Sequence, residues 1–126
     1  MYKFLNMHPK GLMVGDCVKR ALSFATDTDY TEISKQLNRL KREIGGTKFN
    51  DNKVWREYIQ RKGWKKLSFP AEKGIERMNG EKFCKKFKNG TYILRMAKHL
   101  TVCKNGVIYD TWDCSNKCVY NAWIVE

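Results

Sequence analysis

HLTVCKNGVIYDTW, residues His99 to Trp112, reads as two β-rich runs joined at Asn105-Gly106. Asn-Gly between alternating apolar residues is the strongest short-range hairpin signal, because a two-residue type I′ turn needs positive φ at both central positions. With that pair as the turn, Lys104 faces Val107, Val102 faces Tyr109, Thr101 faces Asp110 and His99 faces Trp112. Side chains alternate along a strand, so His99, Thr101, Cys103, Ile108, Asp110 and Trp112 share one face. Leu100, Val102, Val107, Tyr109, Thr111 and Asp113 share the other. His99 and Asp110 are then diagonal neighbours at roughly 7 Å between backbones, within side-chain hydrogen-bonding reach. A carboxylate in that place fixes the tautomer of an imidazole and stabilises its protonated form.

Outward from the hairpin, Thr91 to Arg95 and Val119 to Val125 are also β-rich, so residues 90–126 are expected to form an antiparallel sheet. Upstream, residues 15–88 read as helical. Val18, Ala21, Leu22 and Ala25 follow Gly15-Asp16 with the spacing of one helix face. Asp29 and Glu32 have capping-box spacing before the stripe Ile33, Leu37, Leu40, Ile44, which Gly45-Gly46 ends. Asn50 or Asp51 is expected to cap a third helix carrying Val54, Trp55, Tyr58 and Ile59 and closed by Gly63. A fourth, short helix is expected near Glu81 to Phe87. Helices first and a sheet last predict an α+β fold, and 126 residues suit a single domain spanning 1–126.

Cys17 opens the first helix. Unsatisfied backbone N–H groups and the helix dipole favour a thiolate there, and the same N–H groups suit a developing oxyanion. Cys17, His99 and Asp110 thus make a nucleophile, a base and an orienting carboxylate. The five cysteines also raise zinc, with His99, Cys103, Cys114 and Cys118 as ligands. His99 and Cys103, however, lie roughly 13 Å apart along one strand and cannot reach one ion. No metal and no cofactor is therefore expected.

The order Cys, His, Asp, with the Cys opening the first helix and the His beginning a strand, resembles the papain-like cysteine peptidase superfamily. Gly15-Asp16-Cys17 is similar to its Gly-x-Cys motif. Asp110-Thr111-Trp112 is similar to its Asn-Ser-Trp, whose Trp shields the His–Asn hydrogen bond from water. The resemblance is closest to small papain-like proteins of bacteriophages and mobile elements, through residues 15–22 (GDCVKRAL), 99–102 (HLTV) and 106–113 (GVIYDTWD). It implies a papain-like α+β fold and a thiol hydrolase, either a cysteine peptidase or an amidase or isopeptidase. Cys17 would attack a carbonyl, His99 would act as base and then acid, and Asp110 would orient His99. The resemblance also implies a glutamine shortly before the nucleophile as oxyanion donor. Gly11 stands there and no Gln precedes Cys17, so Asn6, His8 or the backbone alone takes that role, with Asp16 and Trp112 supporting the site. The missing glutamine favours an alternative, a catalytically silent papain-like module that binds a protein or nucleic acid through a basic surface.

Composition sets the remaining bounds. The chain carries 25 Lys+Arg against 13 Asp+Glu, a net charge of +12. Such an excess favours an acidic or anionic partner, here a protein or peptide substrate, over a neutral one. Nucleic acid is a second candidate without a supporting motif. Helical spacing gathers Lys82, Lys85 and Lys86 on one side as a basic patch. No run approaches the ~18 apolar residues of a membrane span, and polar residues interrupt Met1 to Leu12, so neither membrane insertion nor secretion is expected. Five cysteines without a secretion signal are expected to stay reduced in a cytoplasm.

Overall fold

The computed structural model describes residues 1–45, 52–70 and 72–126. Its elements run β1 (Tyr2–Phe4), α1 (Cys17–Ala25), α2 (Tyr30–Ile44), α3 (Asn52–Lys62), β2 (Lys65–Ser68), α4 (Gly80–Lys86), β3 (Thr91–Met96), β4 (His99–Lys104), β5 (Val107–Asp110) and β6 (Asn121–Val125). The six strands form one sheet in the order β1-β5-β4-β3-β6-β2. Among the described residues, no helix is long and apolar enough to cross a membrane.

The β4–β5 hairpin has the predicted register, with Val102 opposite Tyr109, Cys103 opposite Ile108 and Lys104 opposite Val107. Asn105 at φ 51° and Gly106 at φ 78° supply the two positive dihedrals of the turn. The face assignment also holds. Leu100 and Val102 pack with α1–α3, in a core that includes Leu22, Ile33, Leu37, Trp55 and Ile93. Cys103 and Ile108 pack on the opposite face with Phe83, Cys84 and Leu94. Because both faces of the sheet are covered, β3 and β4 bury neighbouring residues on opposite faces, Ile93 with Leu94 and Val102 with Cys103.

The α+β expectation holds at that level, with two corrections to the sheet. It is mixed rather than antiparallel, since β1 runs parallel to β5, Phe4 opposite Asp110. It also draws β2 from the stretch read as helical, paired antiparallel to β6. Both added strands are short edges whose pairing depends on the partner offered by the rest of the sheet, not on their own pattern.

The helix boundaries follow their capping chemistry. Asp29 precedes α2 and its carboxylate accepts from the Thr31 N–H at 2.8 Å. The Glu32 carboxylate accepts from Gln36 instead of closing a capping box. Gly45, at φ 73°, ends α2 in the left-handed region. Gly46 and the expected caps Asn50 and Asp51 lie outside the described residues. Asn79 caps α4 by accepting from the Lys82 N–H at 2.8 Å.

Gly80 begins α4 hard against the loop that follows β5. A Cβ there would lie 2.8 Å from Ile108 Cδ1, 3.0 Å from Ser115 Cα and 3.1 Å from the Ser115 carbonyl oxygen. Ile108 can turn aside, but Ser115 is backbone and its carbonyl already accepts from Glu81 N–H at 2.9 Å. Overpacking of this kind costs about 1–3 kcal/mol, against a gain of about 1 kcal/mol from alanine's helix propensity. Gly80→Ala is therefore expected to lower stability by about 1 kcal/mol net, read as a lower melting temperature.

Candidate active site

Cys17 is the first residue of α1, and Asp16 before it provides no side-chain cap. The Asp16 carboxylate is engaged elsewhere. One oxygen pairs with the Arg20 guanidinium one turn along the same helix, and the other accepts from the Tyr30 hydroxyl at 2.7 Å. The first turn of α1 therefore points its N–H groups past Cys17 with no carboxylate folded over them, the arrangement suited to an anion at that place.

His99 starts β4 and Asp110 ends β5, the diagonal pair of the predicted register. His99 Nε2 and Asp110 Oδ2 are 2.6 Å apart, and both side chains are nearly buried. Nε2 being engaged, Nδ1 is the ring nitrogen left for Cys17, which lines the same cleft. Burial pushes the Cys17 thiol up. Hydrogen bonds with the His99 side chain and the Leu100 backbone, with the charge of His99, outweigh it and hold the thiol below its ordinary value. Burial lowers the affinity of His99 for its proton, but Asp110, Cys114 and Cys17 more than reverse this and push its pKa up to about 11. Both shifts act in the direction of a thiolate beside an imidazolium.

Asp110 is fixed from four sides. Its Oδ1 accepts from Thr111 N–H at 2.7 Å and faces Arg20 at 3.4 Å. Its carbonyl accepts from Leu5 N–H at 2.9 Å and from the Tyr2 hydroxyl at 3.1 Å. The parallel strand β1 thus clamps the residue that holds His99. Burial raises the Asp110 carboxyl, the His99 hydrogen bond and charge lower it further, and it stays below the usual range.

Arg20 is the residue that sequence reasoning missed. It is 8% exposed, buried between two carboxylates, Asp16 and Asp110. One line of charge thus runs Asp16, Arg20, Asp110, His99, Cys17. Its only sequence signal is weak: Asp16 and Arg20 share i,i+4 spacing on α1.

Trp112 is 43% exposed and packs on His99, ring centroids 4.9 Å apart. It covers the outer face of the imidazole instead of joining the core. Asn6 is placed elsewhere: its amide donates to the Leu12 carbonyl at 3.0 Å and contacts Met13 Sδ at 3.7 Å, so it serves its own loop. His8 packs at a tilt against Tyr30, its Nδ1 accepting from Lys10 N–H. A cleft of about 290 Å³ opens at Cys17 and His99 instead, lined also by Asn52, Trp55, Arg95 and Lys98. The Trp55 indole N–H donates to Asn52 Oδ1 at 3.0 Å, which leaves the Asn52 amide N–H groups as donors at the cleft.

Of the residues able to ligate a metal, His99, Asp110 and Cys114 gather their ligand atoms within 4.8 Å of one another. Cys103 is not part of that cluster and instead lies 3.6 Å from Cys84 across the second core. Cys114 Sγ donates to Asp110 Oδ2 at 3.6 Å. Arg20 already neutralises Asp110, which works against a cation beside it.

The basic patch is largely compensated. Lys82 pairs with Glu76 at 2.6 Å and Lys85 with Glu81 at 3.7 Å. Lys86 lies over the Phe87 ring. Searches against family models, curated proteins and solved structures match this chain to none of them.

Proposed function

We propose that this chain is a papain-like thiol hydrolase, a cysteine peptidase or an amidase or isopeptidase. The observation that carries the reading is one imidazole bridging two partners. His99 is bound through Nε2 to a buried carboxylate and shares one cleft with a thiol at a helix N-terminus, whose pKa its side chain lowers.

In this mechanism the Cys17 thiolate attacks a substrate carbonyl carbon. The carbonyl electron pair moves onto oxygen, where the Cys17 N–H and the Asn52 amide donate to it. His99 passes its Nδ1 proton to the leaving amine as the tetrahedral species collapses to a thioester. It then takes a proton from water, whose hydroxide attacks the thioester and releases the acid and the thiolate. Asp110 keeps the ring in place throughout, and Trp112 keeps water off the His99–Asp110 bond.

The first test is alkylation by iodoacetamide at neutral pH, followed residue by residue by mass spectrometry. Cys17 is expected to react at least about tenfold faster than Cys84, Cys103, Cys114 or Cys118. Equal, slow labelling of all five thiols overturns the activated nucleophile. The second test separates turnover from binding. With p-nitrophenyl acetate, acetylated Cys17 should form and then clear. A silent module, the reading that Gly11 in place of a glutamine favours, would not clear it.

A further inference from the structure

We propose that the cleft selects acyl donors with a negative charge beside the scissile carbonyl, recognised by Arg95 and Lys98. For a peptide substrate this means an aspartate or glutamate next to the bond cleaved. The inference rests on the hydrolase reading and names its substrate class.

Arg95 and Lys98 both line the cleft that exposes Cys17 and His99. Among the described residues no carboxylate lines that cleft, and neither cation takes part in an ion pair. Arg95, near the end of β3, is half-buried and held by neutral partners. Its guanidinium donates to Asn121 Oδ1 at 3.2 Å and lies 5.5 Å from the Tyr120 ring centroid. These contacts hold the group at the border of the cleft and of a neighbouring pocket without cancelling its charge. Lys98 stands exposed at the tip of the β3–β4 turn, at φ 52°, one residue before His99. Elsewhere Arg20, Arg61, Lys82 and Lys85 have carboxylate partners.

The charge arithmetic of the site agrees. A substrate anion near Cys17 meets a thiolate and, behind His99, Asp110. Asp110 is already opposed by Arg20 and His99, so the thiolate is the repulsion left to offset. Two cations at the mouth reverse its sign, and field lines concentrate in a cleft walled by low-dielectric side chains. A neutral substrate gains nothing from them.

The test compares two alkylating agents that differ only in charge, iodoacetate and iodoacetamide, on Cys17 of the full chain. Their rate ratio within one variant cancels any change in the reactivity of the thiol itself. The ratio in the wild type is expected to fall about fivefold in Arg95→Gln, about twofold in Lys98→Gln and about tenfold in the double variant, for charges partly screened by solvent. Lys98→Gln changes an exposed turn residue and so keeps the test open if Arg95→Gln folds poorly. Added salt should compress the wild-type ratio more than that of the double variant. A rapidly labelled Cys17 with the same ratio in wild type and double variant overturns the proposal while leaving the hydrolase reading standing. A Cys17 no faster than the other thiols overturns the hydrolase reading itself.

Discussion

Arg20→Met is expected to remove about 3–5 kcal/mol of folding stability, the cost of breaking a buried ion pair from one side. The size follows from what the substitution leaves behind. Asp16 is 2% exposed and Asp110 4% exposed, and Arg20 is the guanidinium between them. Methionine fills a similar volume, so the loss is electrostatic and not a cavity effect. Tyr30 and Thr111 still donate to the two carboxylates, which keeps the figure from rising further. Urea denaturation of Arg20→Met against the wild type reads the loss directly. Arg20→Met with Asp16→Asn should recover part of it, because one of the two stranded charges is gone. A loss below about 1 kcal/mol, the range of an exposed pair, would show that Arg20 does not hold the line of charge together.

That prediction starts from the residue least visible in the sequence. A lone arginine on a helix is ordinarily read as a solvated charge, and nothing local to residues 15–22 says that Asp110 will arrive beside it. The His99–Asp110 pair was legible for the opposite reason. Asn105-Gly106 fixes the turn, the turn fixes the register, and strand alternation then assigns every side chain to a face. Cys17 was legible because Gly15-Asp16 precedes an apolar helical stripe. β1 and β2 were not, because Tyr2-Lys3-Phe4 is too short for its alternation to specify a strand, Lys65-Lys66-Leu67-Ser68 carries none, and both become strands only where β5 and β6 present open edges. Asn6 is near in sequence to the place where the resemblance implies a glutamine. Its own loop claims its amide, and the cleft takes Asn52 from a different helix. The net charge points toward an anion but does not say where. The ion pairs on α4 compensate Lys82 and Lys85, and among the described residues Arg95 and Lys98 are cations without an ion pair that stand at the cleft mouth.

Asp110→Asn is expected to bring the His99 pKa down from about 11 by about two units, a hundredfold in proton affinity. Asparagine can keep the contact to Nε2 but offers no charge, so the attraction that outweighs burial is largely lost. The chain contains only His8 and His99. Proton NMR of the imidazole Cε1–H groups therefore follows two signals, and His8 serves as the internal reference. The sign for stability follows from the raised pKa. His99 contributes fully below its unfolded value of about 6.5, and the contribution fades as pH rises from there through about 11. Asp110 runs the other way: its depressed carboxyl contributes above the unfolded value of about 3.9 and loses that contribution as pH falls. Between those limits the wild type keeps both charges, and the stability gap between wild type and Asp110→Asn should narrow as the solution is made alkaline. Cys17 follows the same logic, since an imidazolium that persists above neutrality keeps its partner a thiolate. In Asp110→Asn the imidazolium loses its proton to solvent at lower pH while Cys17 stays ionised, so the iodoacetate rate, which the imidazolium charge assists, should decline at correspondingly lower pH while the rate with neutral iodoacetamide does not. If the His99 signal titrates at the same pH in both proteins, the charge of the buried carboxylate is not what holds the proton.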